Sequence, residues 1–405
     1  MINISLYRKY WQFAQHLNFQ VHLCGWAEYK GIIYNTENLL NLFLSQFNTL
    51  DVNSLKSFLH LLNGNFSFII KYESTIVLGV DRVRSFPIIY FQFDNTLFLS
   101  DDIEAFRQNH SNIELKISDN VVEQYLSSHF IIGYHTIYKD VFSVQAGEVV
   151  EILPENVIRH QYFQWTPNMD KERYRDIPVE SSIFDNILSG VIKRMINSAP
   201  FVRNWIIPLS GGHDSRLIIN YLYKANVKNV IAYSYGIKNN TQSLISEKVA
   251  KALGYSWYFI EYSPEIVFEI QKCMEIYTYR KYAFNGTSTP HLQDFIAVFM
   301  LKRRGIVQSG DIFVPGHTLD FITGGHLKSG MEVCNSLEMA LPFIERHFTA
   351  FGYANRSAEL KKNVLSIIDT YKMNLNQIPE CFNWKERQPK FIINSVRVYE
   401  YFGFE

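Results

Sequence analysis

The stretch from Trp205 to Ala225 restricts the fold more than any other part of the chain. An apolar strand-like run, Trp205–Leu209, passes directly into Ser210-Gly211-Gly212-His213-Asp214-Ser215 and from there into a helical stretch, Ser215–Ala225. The same alternation continues on both sides. A helix is predicted over Ser182–Ile196, a buried-type strand over Val230–Tyr235, a helix over Thr241–Leu253 and a strand over Trp257–Glu261. Strands that alternate with helices of this length form βαβ units, and such units build a parallel, doubly wound α/β sheet.

A glycine pair between a strand and a helix has a chemical use. Gly211 and Gly212 let the backbone come close to a bound group, and positive φ is expected at both. The free N–H groups at the start of the following helix point outward, and the helix dipole favours an anion there. Ser210 and Ser215 add hydroxyl donors. Asp214 repels phosphate directly, so its expected place is beside a Mg²⁺ ion that bridges phosphate oxygens. No G-x-x-x-x-G-K-[ST] run occurs, so this is not the Walker loop. The arrangement predicts a site for the pyrophosphate part of ATP.

Residues 1–165 have a different texture. Short apolar or alternating runs recur at Val21–Leu23, Gly31–Tyr34, Phe66–Tyr72, Ile76–Val80, Ile88–Phe93, Thr96–Leu99 and Val149–Leu153. Turn residues such as Asn63-Gly64-Asn65 separate them, and helices are predicted over Thr36–Gln46 and Val52–Leu62. Residues 166–180 are polar, contain two prolines and lack an apolar period, which predicts a linker. The expected organisation is a β-rich domain over 1–165, a linker over 166–180 and an α/β domain over 181–405. The end, Ser357–Glu405, is expected to be helical and irregular.

Composition narrows the partners. Lysine plus arginine and aspartate plus glutamate number 39 each, so no global basic field gathers nucleic acid. The four cysteines, Cys24, Cys273, Cys334 and Cys381, lie far apart and form no CxxC pair, which fits neither a zinc framework nor a disulfide one. The first residues lack the apolar core of a signal peptide, and no apolar run reaches the ~18 residues that span a bilayer. The expectation is a soluble cytoplasmic protein with no nucleic-acid or membrane partner.

The loop Ser210–Ser215 resembles the SGGxDS pyrophosphatase loop of the asparagine synthetase superfamily. Ile231-Ala-Tyr-Ser-Tyr-Gly236 resembles the family strand whose end meets adenine, and Glu247, Ala250 and Leu253-Gly254 resemble the helix after it. Gly316-His-Thr-Leu-Asp320-Phe-Ile-Thr-Gly324-Gly325 resembles the family's G-x-x-x-D-E-x-x-G-G segment. The resemblance implies that Leu209 and Tyr235 neighbour adenine, that Gly236 and Gly316 contact the nucleotide, and that Asp320 joins Asp214 in holding magnesium. Two positions depart from the pattern. His317 stands where a glutamate is frequent, and Phe321 replaces the glutamate after the aspartate. As a histidine, His317 is a candidate base for an amine nucleophile.

The front half resembles the class II glutamine amidotransferase domain. The carrying segments are Leu62-Asn-Gly-Asn-Phe-Ser-Phe68, Asp81-Arg82 through Pro87-Ile-Ile-Tyr90, Phe98-Leu-Ser-Asp-Asp102, Ile132-Gly133 and Ala146-Gly147. The implied fold is an αββα sandwich of the Ntn-hydrolase type, and the implied partner fold is the adenine nucleotide α-hydrolase, or PP-loop, type. Family glutaminases use a cysteine directly after the initiator methionine, with its own α-amine as base. Here Ile2 follows Met1, and Cys24 sits in a strand-like run, so glutamine hydrolysis by that route is not expected. Towards the end, Lys390 and Arg397 are the basic residues available to approach phosphates.

Together the resemblances imply an ATP- and Mg²⁺-dependent ligase. A small-molecule or peptide carboxylate would be adenylated, and ammonia or an amine would then displace AMP. Asparagine synthesis, the amide ligases of natural-product pathways, macrolactam-forming cyclases among them, and synthetase-like proteins of surface-polysaccharide clusters all fall in this class. A nucleotide-binding partner protein without turnover is the alternative.

Overall fold

The computed structural model describes residues 1–165, 181–319, 362, 364–368 and 382–404. These residues gather into two compact units. The first holds 1–165, Phe284–Thr289 and the described residues from 362 to 393; the second holds 181–283, 290–319 and 394–404.

In the first unit the chain runs β1 (Ile2–Ser5), β2 (Gln12–His16), β3 (Phe19–Tyr29), β4 (Ile32–Tyr34), α1 (Thr36–Gln46), α2 (Val52–Leu61), β5 (Asn63–Tyr72) and β6 (Thr75–Val80). It continues through β7 (Ile89–Phe93), β8 (Thr96–Ser100), α3 (Ile103–Asn109), α4 (Asp119–Ser128), β9 (Val141–Ser143), β10 (Glu148–Ile152) and β11 (Val157–Gln161). Side-chain caps start three of the helices: Asn35, Asp51 and Asp102 accept the first free N–H groups of α1, α2 and α3.

Two sheets result. The larger has the order β11-β10-β6-β5-β3-β2, with β4 paired to β3, and the smaller has the order β1-β8-β7-β9. The strict alternation of a strand explains how they stack. On β5, Phe66, Phe68 and Ile70 turn toward α1 and α2, where they meet Leu39, Phe43 and Leu55. Ile69, between them, turns the other way and packs with Leu78, Val150, Tyr90 and Leu99 between the sheets. On the far side of the small sheet, Ile89, Phe91 and Phe98 cover Ile103 and Phe106 of α3. The layers are therefore helix, sheet, sheet, helix, the αββα order the sequence implied. Phe284–Thr289 completes this unit. Asn285 accepts from the Ile103 N–H at 2.9 Å and donates to the Asp101 carbonyl at 3.0 Å.

In the second unit the order is α5 (Ser181–Ser198), β12 (Trp205–Pro208), α6 (His213–Lys224), β13 (Val230–Gly236), α7 (Thr241–Ala252), β14 (Ser256–Glu261), α8 (Pro264–Gln271), α9 (Met274–Phe284, its last residue in the first unit), α10 (Phe295–Arg303) and β15 (Ile312–Phe313). Near the end come a π-helical run (Asn383–Ile392, first unit), a 3₁₀ turn (Ile393–Val396) and α11 (Arg397–Tyr401). Pro389 lies inside the π-helical run. Proline carries no N–H, so a regular i→i−4 ladder cannot pass through it.

All pairs in the four-stranded sheet β14-β13-β12-β15 are parallel. Ile206, Tyr233, Ile260 and Phe313 pack on one face with residues of α9, α10 and α11. Trp205, Ile207 and Ala232 pack on the other with Ile192, Ile219, Leu222 and Ala250 of α5, α6 and α7. Helices cover both faces, so the sheet is doubly wound. Numbered by their own sequence, its strands lie 3-2-1-4. The chain moves outward from β12 to β14, then returns to place β15 on the other side of β12. In open α/β sheets such a reversal, at the carboxyl ends of the strands, is where ligands commonly bind. The loops concerned are Leu209–Gly212, after β12, and Val314–Leu319, after β15.

Among the described residues no helix is long and apolar enough to cross a membrane. The linker expected over 166–180, together with Asp320, Phe321, Gly324, Gly325, Cys334 and Cys381, lies outside the described residues.

Candidate active site

The root of the first loop is fixed by a chain of buried hydroxyls. Leu209 continues the β12 ladder by donating its N–H to the Tyr233 carbonyl at 2.8 Å. Its carbonyl accepts from Ser234 Oγ at 2.5 Å, Ser234 Oγ meets Ser246 Oγ at 2.5 Å, and Trp257 Nε1 donates to Ser246 at 2.7 Å. One polar chain thus joins the end of β12 to β13, α7 and β14.

From that root the loop closes on the start of α6. The Ser215 hydroxyl accepts from the Ser210 N–H at 3.0 Å and lies 3.2 Å from the Ser210 hydroxyl. Ser210 Oγ also accepts from the Gly212 N–H at 3.1 Å. Ser215 is buried, Asp214 is half-buried on the first turn of α6, and Ser210, Gly212 and His213 are exposed. Arg216 turns back along the helix, donating to the Gly212 carbonyl at 2.8 Å and lying 3.2 Å from His213 Nδ1. Sequence reasoning passed over this guanidinium, although it follows the loop by one residue.

Positive φ at Gly211 and Gly212 is not found. Gly212 has φ −76° and ψ 174°, and Gly211 is not among the positive-φ residues. The need for glycine at 211 is steric. A Cβ there would stand 2.9 Å from the Gln242 Cα, so the loop lies directly against the first turn of α7. Positive φ occurs instead at Gly236, +127°, where β13 ends.

The second loop meets the first. A Cβ at Gly316 would lie 3.2 Å from the Ser215 nitrogen and 3.3 Å from the Asp214 Cβ. The two glycine-bearing segments, about a hundred residues apart in sequence, are therefore packed against each other at the strand reversal. Among the described residues, none takes up the Asp214 carboxylate as a hydrogen-bond or ion-pair partner, and an anionic oxygen donor of this kind fits a magnesium ion.

The remaining expected residues scatter. Leu209 is buried with Ile207 and Ala232 on one face of the sheet, whereas Tyr235 packs on the other face, stacked on Tyr262 with ring centroids 5.0 Å apart. Burial, with the Asp294 carboxylate adding to it, raises both phenols well above their ordinary range. His317 is engaged with residues of the second unit that lie outside the Ser210–Ser215 loop. Its Nδ1 is 2.7 Å from Ser395 Oγ, and its ring lies 5.6 Å from that of His291. Burial lowers the pKa of His291; Asp294 opposes that shift and His317 adds to it. Neither His291 nor Asp294 was visible as a site residue, because no motif brackets them. Lys390, expected to approach phosphates, is buried in the first unit, donating to the Ile131 and Gly133 carbonyls at 2.7 and 2.6 Å. Arg397 is buried too and pairs with Glu400.

In the first unit Cys24 is the one thiol among the described residues, and it is 0% exposed in the middle of β3.

Comparison with known proteins agrees with the front layers. The model of the glutamine amidotransferase domain matches residues 26–163. No curated protein matches the chain. Among solved structures, the NH3-dependent NAD synthetase of Campylobacter jejuni is 12% identical with a TM-score of 0.27, covering 51% of this chain and 93% of its own. The glutamine-dependent NAD+ synthetase of Acinetobacter baumannii is 11% identical with a TM-score of 0.26, covering 80% of this chain and 79% of its own. The glutamine phosphoribosylpyrophosphate amidotransferase of B. subtilis is 12% identical with a TM-score of 0.24, and this chain spans 59% of its length. Likenesses this distant leave the functional argument to the geometry of the site itself, and to a front half that matches the glutamine amidotransferase domain.

Proposed function

We propose that the second unit activates a carboxylate with ATP and passes the acyl group to ammonia or an amine, as an amide ligase of the asparagine synthetase type. One observation carries this reading: Gly316 packs on Asp214 and Ser215, at the reversal of strand order. The carboxylate oxygen of the substrate bonds to the α-phosphorus, the bond to the bridging oxygen breaks, and pyrophosphate leaves. The amine nitrogen then bonds to the acyl carbon, AMP leaves, and the nitrogen gives up a proton.

For this chain the work is positioning and charge. The loop hydroxyls and the free N–H groups at the start of α6 hold the pyrophosphate oxygens, and Arg216 adds positive charge beside them. Asp214 would hold a magnesium ion, with Asp320 as its proposed companion; such an ion neutralises developing phosphate charge. Holding both reactants beside these loops would supply the orientation that free reactants lack. The first unit is proposed to support the fold rather than to release ammonia through Cys24, since a wholly buried thiol cannot reach glutamine.

ATP–pyrophosphate exchange tests the reading. The purified chain is incubated with MgATP, labelled pyrophosphate and a panel of amino-acid and peptide carboxylates. Exchange that depends on one carboxylate and is lost in Asp214→Asn is expected. Folded protein that binds no ATP would refute the ligase and the nucleotide site together; tight binding with no exchange would leave a nucleotide-binding partner protein instead. Parallel reactions with glutamine measure free glutamate, and none above background is expected.

A further inference from the structure

His291, Asp294 and His317 converge from two separate segments of the second unit. One ligand atom of each lies within 4.8 Å of those of the other two. His291 and Asp294 precede α10, and His317 sits in the loop after β15. We propose that these three side chains bind one divalent transition-metal ion, of the zinc class.

Four features support the assignment. Asp294 stands at the N-cap of α10, yet its side chain makes no capping hydrogen bond. Its carboxylate is 1% exposed and turns inward, accepting from Tyr399 Oη at 3.2 Å. Among the described residues no lysine or arginine pairs with it. A buried carboxylate without a countercharge is costly, and a cation in its pocket removes that cost. The second feature is His291 Nε2, which is buried without a hydrogen-bond partner and lies 3.8 Å from Asp294 Oδ2. Metal bonds of ~2.0–2.2 Å place neighbouring ligand atoms roughly 3–3.5 Å apart, so small side-chain rotations close the set.

Third, His317 Nδ1 is engaged with Ser395 Oγ at 2.7 Å. A ligating imidazole characteristically anchors its other nitrogen in this way, which fixes the ring and leaves Nε2 for the metal. Fourth, two imidazoles and one carboxylate form a mixed N/O set. Such a set suits zinc, cobalt or nickel, whereas magnesium and calcium take oxygen donors. The ion would pin the loop that carries Gly316 to the start of α10, with His317 as a ligand rather than the free base its sequence position suggests.

The assignment does not depend on the nucleotide reading, and its test omits nucleotide. The full chain is stripped with a chelator, dialysed, and titrated with Co²⁺ and with Zn²⁺; bound metal is measured by mass spectrometry and by the visible bands of Co²⁺. About one ion per chain is expected. Asp294→Asn and His291→Ala should lose most of the binding with circular dichroism unchanged. Ser395→Ala should weaken binding by ~10-fold or more, as loss of an orienting partner does. Folded wild-type protein that takes up no Co²⁺ or Zn²⁺, or a folded Asp294→Asn that binds as the wild type does, would overturn the proposal. Should His291→Ala not fold, Asp294→Asn and the wild-type stoichiometry decide. A chain that binds ATP but no metal fails here while leaving the proposed function standing, and the converse result separates the two the other way.

Discussion

Asp81 shows how much one side chain can organise. Its carboxylate is wholly buried and accepts from the N–H groups of Phe66 at 3.1 Å, Val83 at 2.8 Å and Ser85 at 3.0 Å. It holds the turn after β6 against β5. Burial pushes its pKa up to about 6, against the pull of those donors. Between roughly pH 4 and pH 6 the folded chain therefore keeps a proton that the unfolded chain releases, and stability from this group falls as pH rises through that window. Asp81→Asn lacks the titration and sets an amide NH2 against one backbone donor, a loss of about 1–3 kcal/mol. The gap between wild type and variant should be larger at about pH 4.5 than at about pH 7 in urea unfolding. A gap that widens toward neutrality would show the carboxylate ionised in the fold at both values. The segment Asp81–Tyr90 was legible as a turn by resemblance, but the role of the aspartate was not. That role depends in part on the Phe66 N–H, a donor from another strand.

At the scale of elements, the alternation of strands and helices was visible because the apolar runs of a parallel sheet differ from the amphipathic runs between them. Helix Thr36–Gln46 lies where its spacing placed it, and Val52–Leu61 ends one residue short of expectation. Strand β15 was not legible. Two residues, Ile312 and Phe313, carry no period, and they form a strand only because Trp205 and Ile206 offer a free edge. Yet this short strand delivers Gly316 to the start of α6. The contact gives a specific expectation. Gly316 has no positive φ, so Gly316→Ala acts only through the added methyl, which meets backbone atoms of Asp214 and Ser215 at 3.2–3.4 Å. Overpacking of this kind costs ~1–3 kcal/mol, and if it falls on the bound state ATP affinity drops by about tenfold or more. Titration calorimetry with a non-hydrolysable ATP analogue, alongside thermal unfolding, checks this. Unchanged affinity would separate the second loop from the nucleotide site.

On the scale of the whole molecule, the order in which elements assemble is not the order in which they are written. Residues 284–289 and 382–393 belong to the first unit although more than a hundred residues separate them from its last sheet strand, and no local pattern announces such returns. Lys390 illustrates the difficulty: a lysine near the end of a presumed ATP domain suggests phosphate, but its surroundings do not. Its Nζ donates to the Ile131 and Gly133 carbonyls and, at 2.6 Å, to Glu386, whose Oε2 also accepts the Gly133 N–H at 2.9 Å. The pair is buried, 2% and 0% exposed, and clamps the π-helical run onto the chain between α4 and β9. Removing one partner of such a pair strands a charge out of water, at a cost of about 3–5 kcal/mol, whereas removing both costs much less than the sum. Burial also lowers the Lys390 pKa to about 8, with Glu386 opposing the shift. Above that value the unfolded chain holds the proton longer than the folded one, so wild-type stability should gain from this group as pH rises from about 8 toward 10.5. Lys390→Met should lose several kcal/mol, and adding Glu386→Gln should recover part of it, in urea unfolding of the wild type, both single variants and the double. Strictly additive losses would mean that the two side chains are not coupled, and that the clamp rests on the backbone carbonyls alone.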